Sequence, residues 1–243
     1  MATNELTEIQ FLSGLFSLIF VIISLIIGII ILSKYFSTHN KTFIAVGFTW
    51  IFLCSAWWPR SIDFILRIFF NTYLQEFWFL LIGVLFIPFA LLFWIYSFST
   101  LVYPNLRTKI VIVFFLIFIT YEIFLIAFLL TNPRLVGFVK GFYAEYSLFT
   151  ISFQFFSILT FLITGILFTK QSLKSEDPRI QWKGRFLIIA FVSFTISALY
   201  ESAAPLTPLT LALIRILLIS SAIEYYLGFF LPEIIAKKLI KEE

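Results

Sequence analysis

One cysteine, Cys54, and one histidine, His39, occur in 243 residues. A single cysteine excludes an intramolecular disulfide and any cysteine-based zinc site. Its place in an apolar run marks it as a packing residue. His39 falls in a short turn between Lys34 and Lys41 and reads as an ordinary loop polar group. Charge is scarce as well: Asp, Glu, Lys and Arg make up 12% of the chain, against about a quarter in a soluble domain. So few acid–base groups leave little for catalysis. There is no His-x-x-x-His, no aspartate cluster, no glycine-rich phosphate loop, and no Ser or Cys with a histidine in reach. The sequence therefore reads as a non-enzyme, with no catalytic residue, metal site or cofactor expected. Long polar stretches are missing too. The largest polar connection is about a dozen residues around Gln171 to Lys183, which leaves no room for a separate soluble domain. One domain over residues 1–243 is the expectation.

What fills the chain is apolar. Hydrophobic residues make up 61%, including 34 phenylalanines, so most of its surface expects lipid. The first nine residues, MATNELTEI, lack the basic start of a secretory signal. Apolar runs long enough to cross a bilayer core of roughly 30 Å then follow one another. Helix 1 spans about Gln10 to Leu32. Helix 2 runs from Thr42 to the Trp57-Trp58-Pro59 boundary and is able to continue beyond it, since Arg60, Asp63 and Arg67 share one helical face. That set reads as an ion-pair ladder on the outer surface. Helix 3 covers about Phe77 to Tyr103, with Pro88 bending it. Helix 4 covers Ile110 to Leu130, and the loop to Glu145 reads as flexible. Helix 5 covers Tyr146 to Thr169, and helix 6 Phe186 to Tyr200. For helix 7, Thr207-Pro208 gives an N-cap with proline in the first turn, and Gly228 and Pro232 give the stop. EIIAKKLIKEE makes a short amphipathic tail.

Basic residues orient the bundle. With the N-terminus outside, the inner side holds two in the 34–41 turn, two at 107–109, five in 170–185 and three in the tail. These twelve face only Arg60, Arg67, Arg134 and Lys140 on the outer side. The richer side belongs in the cytoplasm. The fold class expected is all-α, a polytopic membrane bundle of seven transmembrane helices with the N-terminus outside and the C-terminus cytoplasmic. The net charge of +4 is then a topology signal and a hold on anionic lipid, not a sign of nucleic-acid binding.

Ionisable groups inside the helices mark the candidate site, since each costs at least about 2.5–3.5 kcal/mol unless it faces protein or water. Glu122, Glu201 and Arg215 fall in helices 4, 6 and 7. An arginine leans toward its helix N-terminus, which directs Arg215 toward Glu201, with Glu122 as the other acid at comparable depth. In helix 5, Thr150, Gln154, Ser157, Thr160 and Thr164 form one stripe pointing away from lipid. Ser193, Ser197 and Glu201 share a face of helix 6. The candidate ligand or ion pocket between helices 4 and 7 thus comprises Glu122, Gln154, Ser157, Ser197, Glu201 and Arg215. A purely structural ion pair accounts for the same residues. Glu224, half a turn out of phase with Arg215, expects Ser220, a loop lysine or water.

Several seven-helix families are excluded. Microbial rhodopsins need a lysine in helix 7 for retinal, and here every lysine falls outside the expected helices. The Pro-Gln pairs of seven-helix sugar transporters are missing, as are the Asp-Arg-Tyr and Asn-Pro-x-x-Tyr motifs of animal-type receptors. The ending AIEYYLGFFLPEIIAKKL resembles the seven-helix sensor modules of prokaryotic signalling proteins. Those usually continue into a kinase or cyclase domain, whereas this sequence ends at Glu243, so the resemblance implies a stand-alone receptor-like module. The expectation is a receptor or sensor in the cell membrane with a small-molecule ligand and a homo-oligomeric or signalling partner. A small-solute or ion transporter, or a structural subunit of a membrane complex, stays open as the alternative.

Overall fold

A computed structural model describes residues 6–203 and 207–240, and its chain is mostly helical. Seven helical stretches are long and apolar enough to cross a membrane: Glu8–Thr38, Thr42–Phe70, Glu76–Val102, Pro104–Thr131, Leu148–Leu173, Pro178–Ser202 and Pro208–Phe230. They are called spans 1 to 7. Span 1 is one helix, α1 (Glu8–Thr38), opened by a capping box in which Thr7 and Gln10 exchange side-chain and backbone bonds. Span 2 breaks into α2 (Thr42–Leu53), a 3₁₀ turn over Cys54–Trp57, and α3 (Trp58–Phe70), with Pro59 in the first turn of α3, where its missing N–H costs nothing. Span 3 is likewise broken. α4 (Glu76–Leu85) stops at Phe86, and α5 (Ile87–Val102) restarts with Pro88 in its first turn. The proline thus breaks the helical hydrogen bonding at one residue, Phe86, whose torsions stay right-handed at φ −89 and ψ −8.

Span 4 holds α6 (Arg107–Thr131), and spans 5 and 6 are α7 (Leu148–Leu173) and α8 (Pro178–Ala203). Span 7 is α9 (Pro208–Phe230), capped by Thr207 and stopped where Leu231 turns to positive φ before Pro232. A short α10 (Glu233–Leu239) follows. The helices outrun the apolar segments read from the sequence: α1 reaches Thr38 rather than Leu32, and α8 starts eight residues before Phe186. Outside the apolar core of a bilayer, water can satisfy the unpaired backbone groups of a helix end, so an apolar run marks the core of a span and not its ends. As a result Lys34, Lys109, Lys170 and Lys183 lie within helix ends, not outside the helices.

Packing closes a ring. α1 lies against α2, α3 and α9; α2 against α5; α5 against α7; α7 against α8; and α8 against α9. α1 and α2 approach so closely that a Cβ at Gly47 would sit 2.9 Å from the Gly28 carbonyl, so small residues set this interface. Span 4 stands outside the ring, against α4 and α5, and touches α7 where Tyr121 stacks on Phe153. The ring's interior is aromatic. Trp50 stacks on Tyr225 at 4.3 Å between centroids, and Trp94 meets Phe161 and Phe191 at 5.3 and 5.1 Å.

The loop after span 4 is not the flexible segment expected. It folds into a hairpin, β1 (Gly137–Lys140) and β2 (Tyr143–Tyr146), turned by Gly141 at φ +67. That is the position where a two-residue turn demands positive φ. Phe142 beside it is fully buried. Span 5 starts at Leu148 on an N-cap Ser147, so Tyr146 belongs to the strand and not to the helix. Thr150 donates to the Val136 carbonyl at 2.8 Å and Arg67 donates to Gly141 O at 3.2 Å, which ties the hairpin down onto the end of the bundle.

Candidate functional site

The site begins with where α3 points Arg60. The 3₁₀ turn and Pro59 carry the helix past Trp57, and Trp57 and Arg60, three residues apart, sit side by side on it. Both turn toward α8, where Glu201 lies near the end of the helix. One Glu201 oxygen accepts from the Arg215 guanidinium at 2.7 Å and from that of Arg60; the other accepts from the Trp57 indole N–H at 2.9 Å. Arg215 therefore takes the nearer acid of its two candidate partners. It is fully buried, with Trp57 under its guanidinium at 5.9 Å. Arg60 in turn lies over the ring of Tyr143 at 5.2 Å, so the hairpin covers it.

One carboxylate thus holds two guanidiniums, each of which keeps its proton at ordinary pH. Hydrogen bonding is incomplete: Arg60 Nε and Arg215 Nε and Nη1 are buried without a partner among the described residues. The Arg60–Asp63–Arg67 ladder does not form as expected. Arg67 pairs with Asp63 at 2.8 Å and both are buried, not on the surface, while Asp63 also accepts the Leu74 N–H at 2.7 Å. That pair fastens the span 2–3 connection, and Arg60 leaves it for Glu201.

Beside the charged cluster lies a cavity of about 410 Å³. Its polar wall is Arg60, Trp57, Glu201 and Ser202 together with Gln154 and Ser157 of α7 and Glu145 of the hairpin. Ser157 is 4% exposed and its hydroxyl has no partner among the described residues. The remaining wall is apolar, with Phe161 and Phe194 as its floor, and Tyr146 of the hairpin contributes to the rim. Burial pushes the Tyr146 phenol up to about 12, so it stays neutral at any working pH.

Of the six residues singled out in the sequence, Gln154, Ser157 and Glu201 line this cavity. Arg215 reaches it only through Glu201. Ser197 is fully buried but donates to the Ser193 carbonyl within its own helix at 2.8 Å. Glu122 does not join the cluster. It is buried in span 4 with both oxygens unpartnered among the described residues, next to Tyr121. The cavity lies between spans 2, 3, 5 and 6 under the hairpin, so it shares spans 5 and 6 with the pocket expected between helices 4 and 7, while span 4 stands outside the ring. The helix 5 stripe divides: Thr150 holds the hairpin, Gln154 and Ser157 face the cavity, and Thr164 accepts the Trp94 indole N–H at 2.7 Å. Glu224 accepts from Ser220 one turn earlier.

Sequence reasoning missed Arg60 and Trp57. In the sequence both fall at a membrane boundary, where Arg60 reads as a surface charge and Trp57 as an interface aromatic. The available signal was the same spacing that let helix 2 continue past Pro59: a continuing helix places Arg60 inside the span, where it needs an acid. Among the described residues no three His, Cys, Asp or Glu side chains gather in a group able to hold a metal ion. No family model, no curated protein and no solved structure matches this chain.

Proposed function

We propose that the chain is a receptor- or sensor-type module of the cell membrane whose ligand occupies the cavity beside Glu201. In this reading the seven spans cross the bilayer with the N-terminus and hairpin outside and the basic C-terminal end in the cytoplasm, as the twelve-to-four division of Lys and Arg indicates. The observation that carries it is the Arg60–Glu201 pair standing in the wall of a roomy cavity whose other walls are largely apolar. Apolar walls with a few convergent polar groups are the usual make-up of a small-molecule site. An ion pair serving only to bind helices together has no need of a cavity next to it.

The floor of the cavity favours binding over passage. Phe161 and Phe194 pack on Phe191 and Trp50, and Tyr225 closes the next layer by stacking on Trp50. A polar solute crossing the bundle would have to part this buried aromatic layer. A ligand that stays on the hairpin side and shifts α8 against α9 through Glu201 and Arg215 would not. The C-terminal stretch resembling prokaryotic sensor modules agrees with a signal leaving by the cytoplasmic end.

The test is to purify the wild type and Ser157→Leu from the same membranes and compare their solvent extracts by mass spectrometry. A molecule recovered near stoichiometry from the wild type alone supports the reading, and identical extracts contradict it. Uptake of that molecule into proteoliposomes would move the chain to the transporters. A protein that co-purifies in fixed ratio, with no small molecule, would make it a structural subunit.

A further inference from the structure

The charge balance around Glu201 names the class of ligand. Arg60 and Arg215 bring two positive charges and Glu201 one negative charge, all within hydrogen-bond contact. Among the described residues the neighbouring charges have partners: Arg67 is paired with the buried Asp63, and Glu145, which also lines the cavity, lies 3.6 Å from Lys140 on the exposed side of the hairpin. One positive charge is left over, next to a cavity, in a region whose walls are apolar. Uncompensated charge in such surroundings is expensive, and arginine cannot relieve it by losing its proton.

Donors without acceptors among the described residues lie on the same side. Arg60 and Ser157 both line the cavity, and the Arg60 Nε and the Ser157 hydroxyl are buried without a partner among the described residues. An oxyanion bound in the cavity at Arg60 and Ser157 would supply the acceptor that each lacks. The excess is a single charge, so a monoanion neutralises the site, whereas a doubly charged phosphate would leave a net negative charge in its place. The rest of the lining, Phe155, Phe161 and Phe194 among it, suits a hydrocarbon or aromatic body. The way in is lateral: Ile151 and Phe155 belong to the cavity wall yet are 46% and 51% exposed on the outer face of the bundle.

From this geometry we infer that the cavity binds an amphiphilic monocarboxylate, its carboxylate on Arg60 and Ser157 and its apolar body against the α7–α8 wall. The inference rests on the proposed function, since it takes the cavity to be a ligand site. Either the bilayer, as a long-chain fatty acid, or the surrounding water, as a short aromatic acid, can supply such a molecule. The lateral mouth favours the bilayer.

Thermal unfolding of the full chain in nanodiscs of zwitterionic lipid tests it, with hexadecanoate, its methyl ester, hexadecylamine and benzoate as probes at mildly alkaline pH. Ligands that bind only the folded state raise Tm in proportion to the logarithm of their concentration. Hexadecanoate should raise Tm while the ester and the amine do not. The effect should be lost or sharply weakened in Ser157→Leu, which removes the hydroxyl donor and puts an apolar side chain against the carboxylate's place without touching the charges. In Arg60→Gln, which leaves a neutral Glu201–Arg215 pair, the apparent affinity should fall about tenfold to a hundredfold, the equivalent of one charged hydrogen bond. Stabilisation by benzoate and not by hexadecanoate upholds the carboxylate site and assigns its source to water. If the ester or the amine stabilises as well as the acid, and Ser157→Leu abolishes it, the cavity is a ligand site but the anion assignment is overturned. If no probe shifts the wild type more than Ser157→Leu, both the inference and the reading beneath it fail. Should Arg60→Gln not fold, the ester comparison and Ser157→Leu decide.

Discussion

Replacing Glu201 with glutamine leaves the shape of the side chain and removes its charge, which makes it the sharpest perturbation of the cluster. In the folded protein this carboxylate takes hydrogen bonds from Arg215 at 2.7 Å, from Arg60, and from Trp57 at 2.9 Å. At an effective dielectric of about 20, each charge pair at contact distance is worth roughly 4 kcal/mol of attraction. Both attractions are lost together, and the repulsion between the two guanidiniums remains. Offset against this is the cost of keeping a carboxylate out of water, which the amide no longer incurs. Breaking a buried pair on one side typically costs about 3–5 kcal/mol. Glu201→Gln should lie at the upper end of that range, because the amide nitrogen also opposes either a guanidinium or the Trp57 N–H, donor against donor. The arginine variants should cost less. Arg215→Gln leaves a neutral Arg60–Glu201 pair and loses a charged hydrogen bond, about 1.5–3 kcal/mol. Arg60→Gln should cost least, since its side chain is 16% exposed while that of Arg215 is fully buried. Equilibrium unfolding in mixed micelles, run on all three variants, gives the order directly. Arg60→Gln costing as much as Glu201→Gln, or Glu201→Gln within about 1 kcal/mol of wild type, would refute one carboxylate holding two guanidiniums together.

Other parts of the bundle give independent checks. Thr164→Val orphans the buried Trp94 indole N–H, bonded at 2.7 Å in the wild type, and should cost about 1–3 kcal/mol in the same unfolding assay. Little or no loss would show that Trp94 finds another acceptor. Gly47→Ala places a Cβ 2.6 Å from Leu32 Cγ and 2.9 Å from the Gly28 carbonyl, so α1 and α2 must part, at about 1–3 kcal/mol. A neutral effect would mean that these helices are not held in close contact. For the topology, cysteines placed at Thr3 and Glu242 in a Cys54→Ala background should react with impermeant maleimide from opposite faces of the membrane. Both reacting from one face would remove or add a span.

How much of the fold and the site is legible in the sequence differs from element to element, for physical reasons. The seven spans can be read because a soluble chain has little use for apolar runs of bilayer length. The start of span 7 is legible as well, since Thr207-Pro208 leaves one place for an N-cap, and Thr207 does accept the Thr210 N–H there. The Arg215–Glu201 pair follows from the snorkelling direction of arginine and the short connection between spans 6 and 7. The order of helices around the ring is not legible. Periodicity gives each helix an inward face but does not say which neighbour it meets, so Glu122 enters the candidate pocket, and stays open as a second acid for Arg215, although span 4 stands outside. Arg60 escapes for a related reason: a charge just past a Trp-Trp-Pro boundary looks like a surface charge until the helix is seen to continue. The hairpin is hidden because strands of four residues carry too little alternation to outweigh the glycines that also mark a loop.

An experimental structure of the full chain in nanodiscs, at a resolution that shows side chains, tests the central claim most directly. The account predicts Glu201 held between Arg60 and Arg215, with non-protein density in the cavity, its head in contact with Arg60 and Ser157 and its body running along α7 toward the bilayer. A cavity closed by Gln154 and its neighbours, with Arg60 turned away from Glu201 toward solvent, would contradict it.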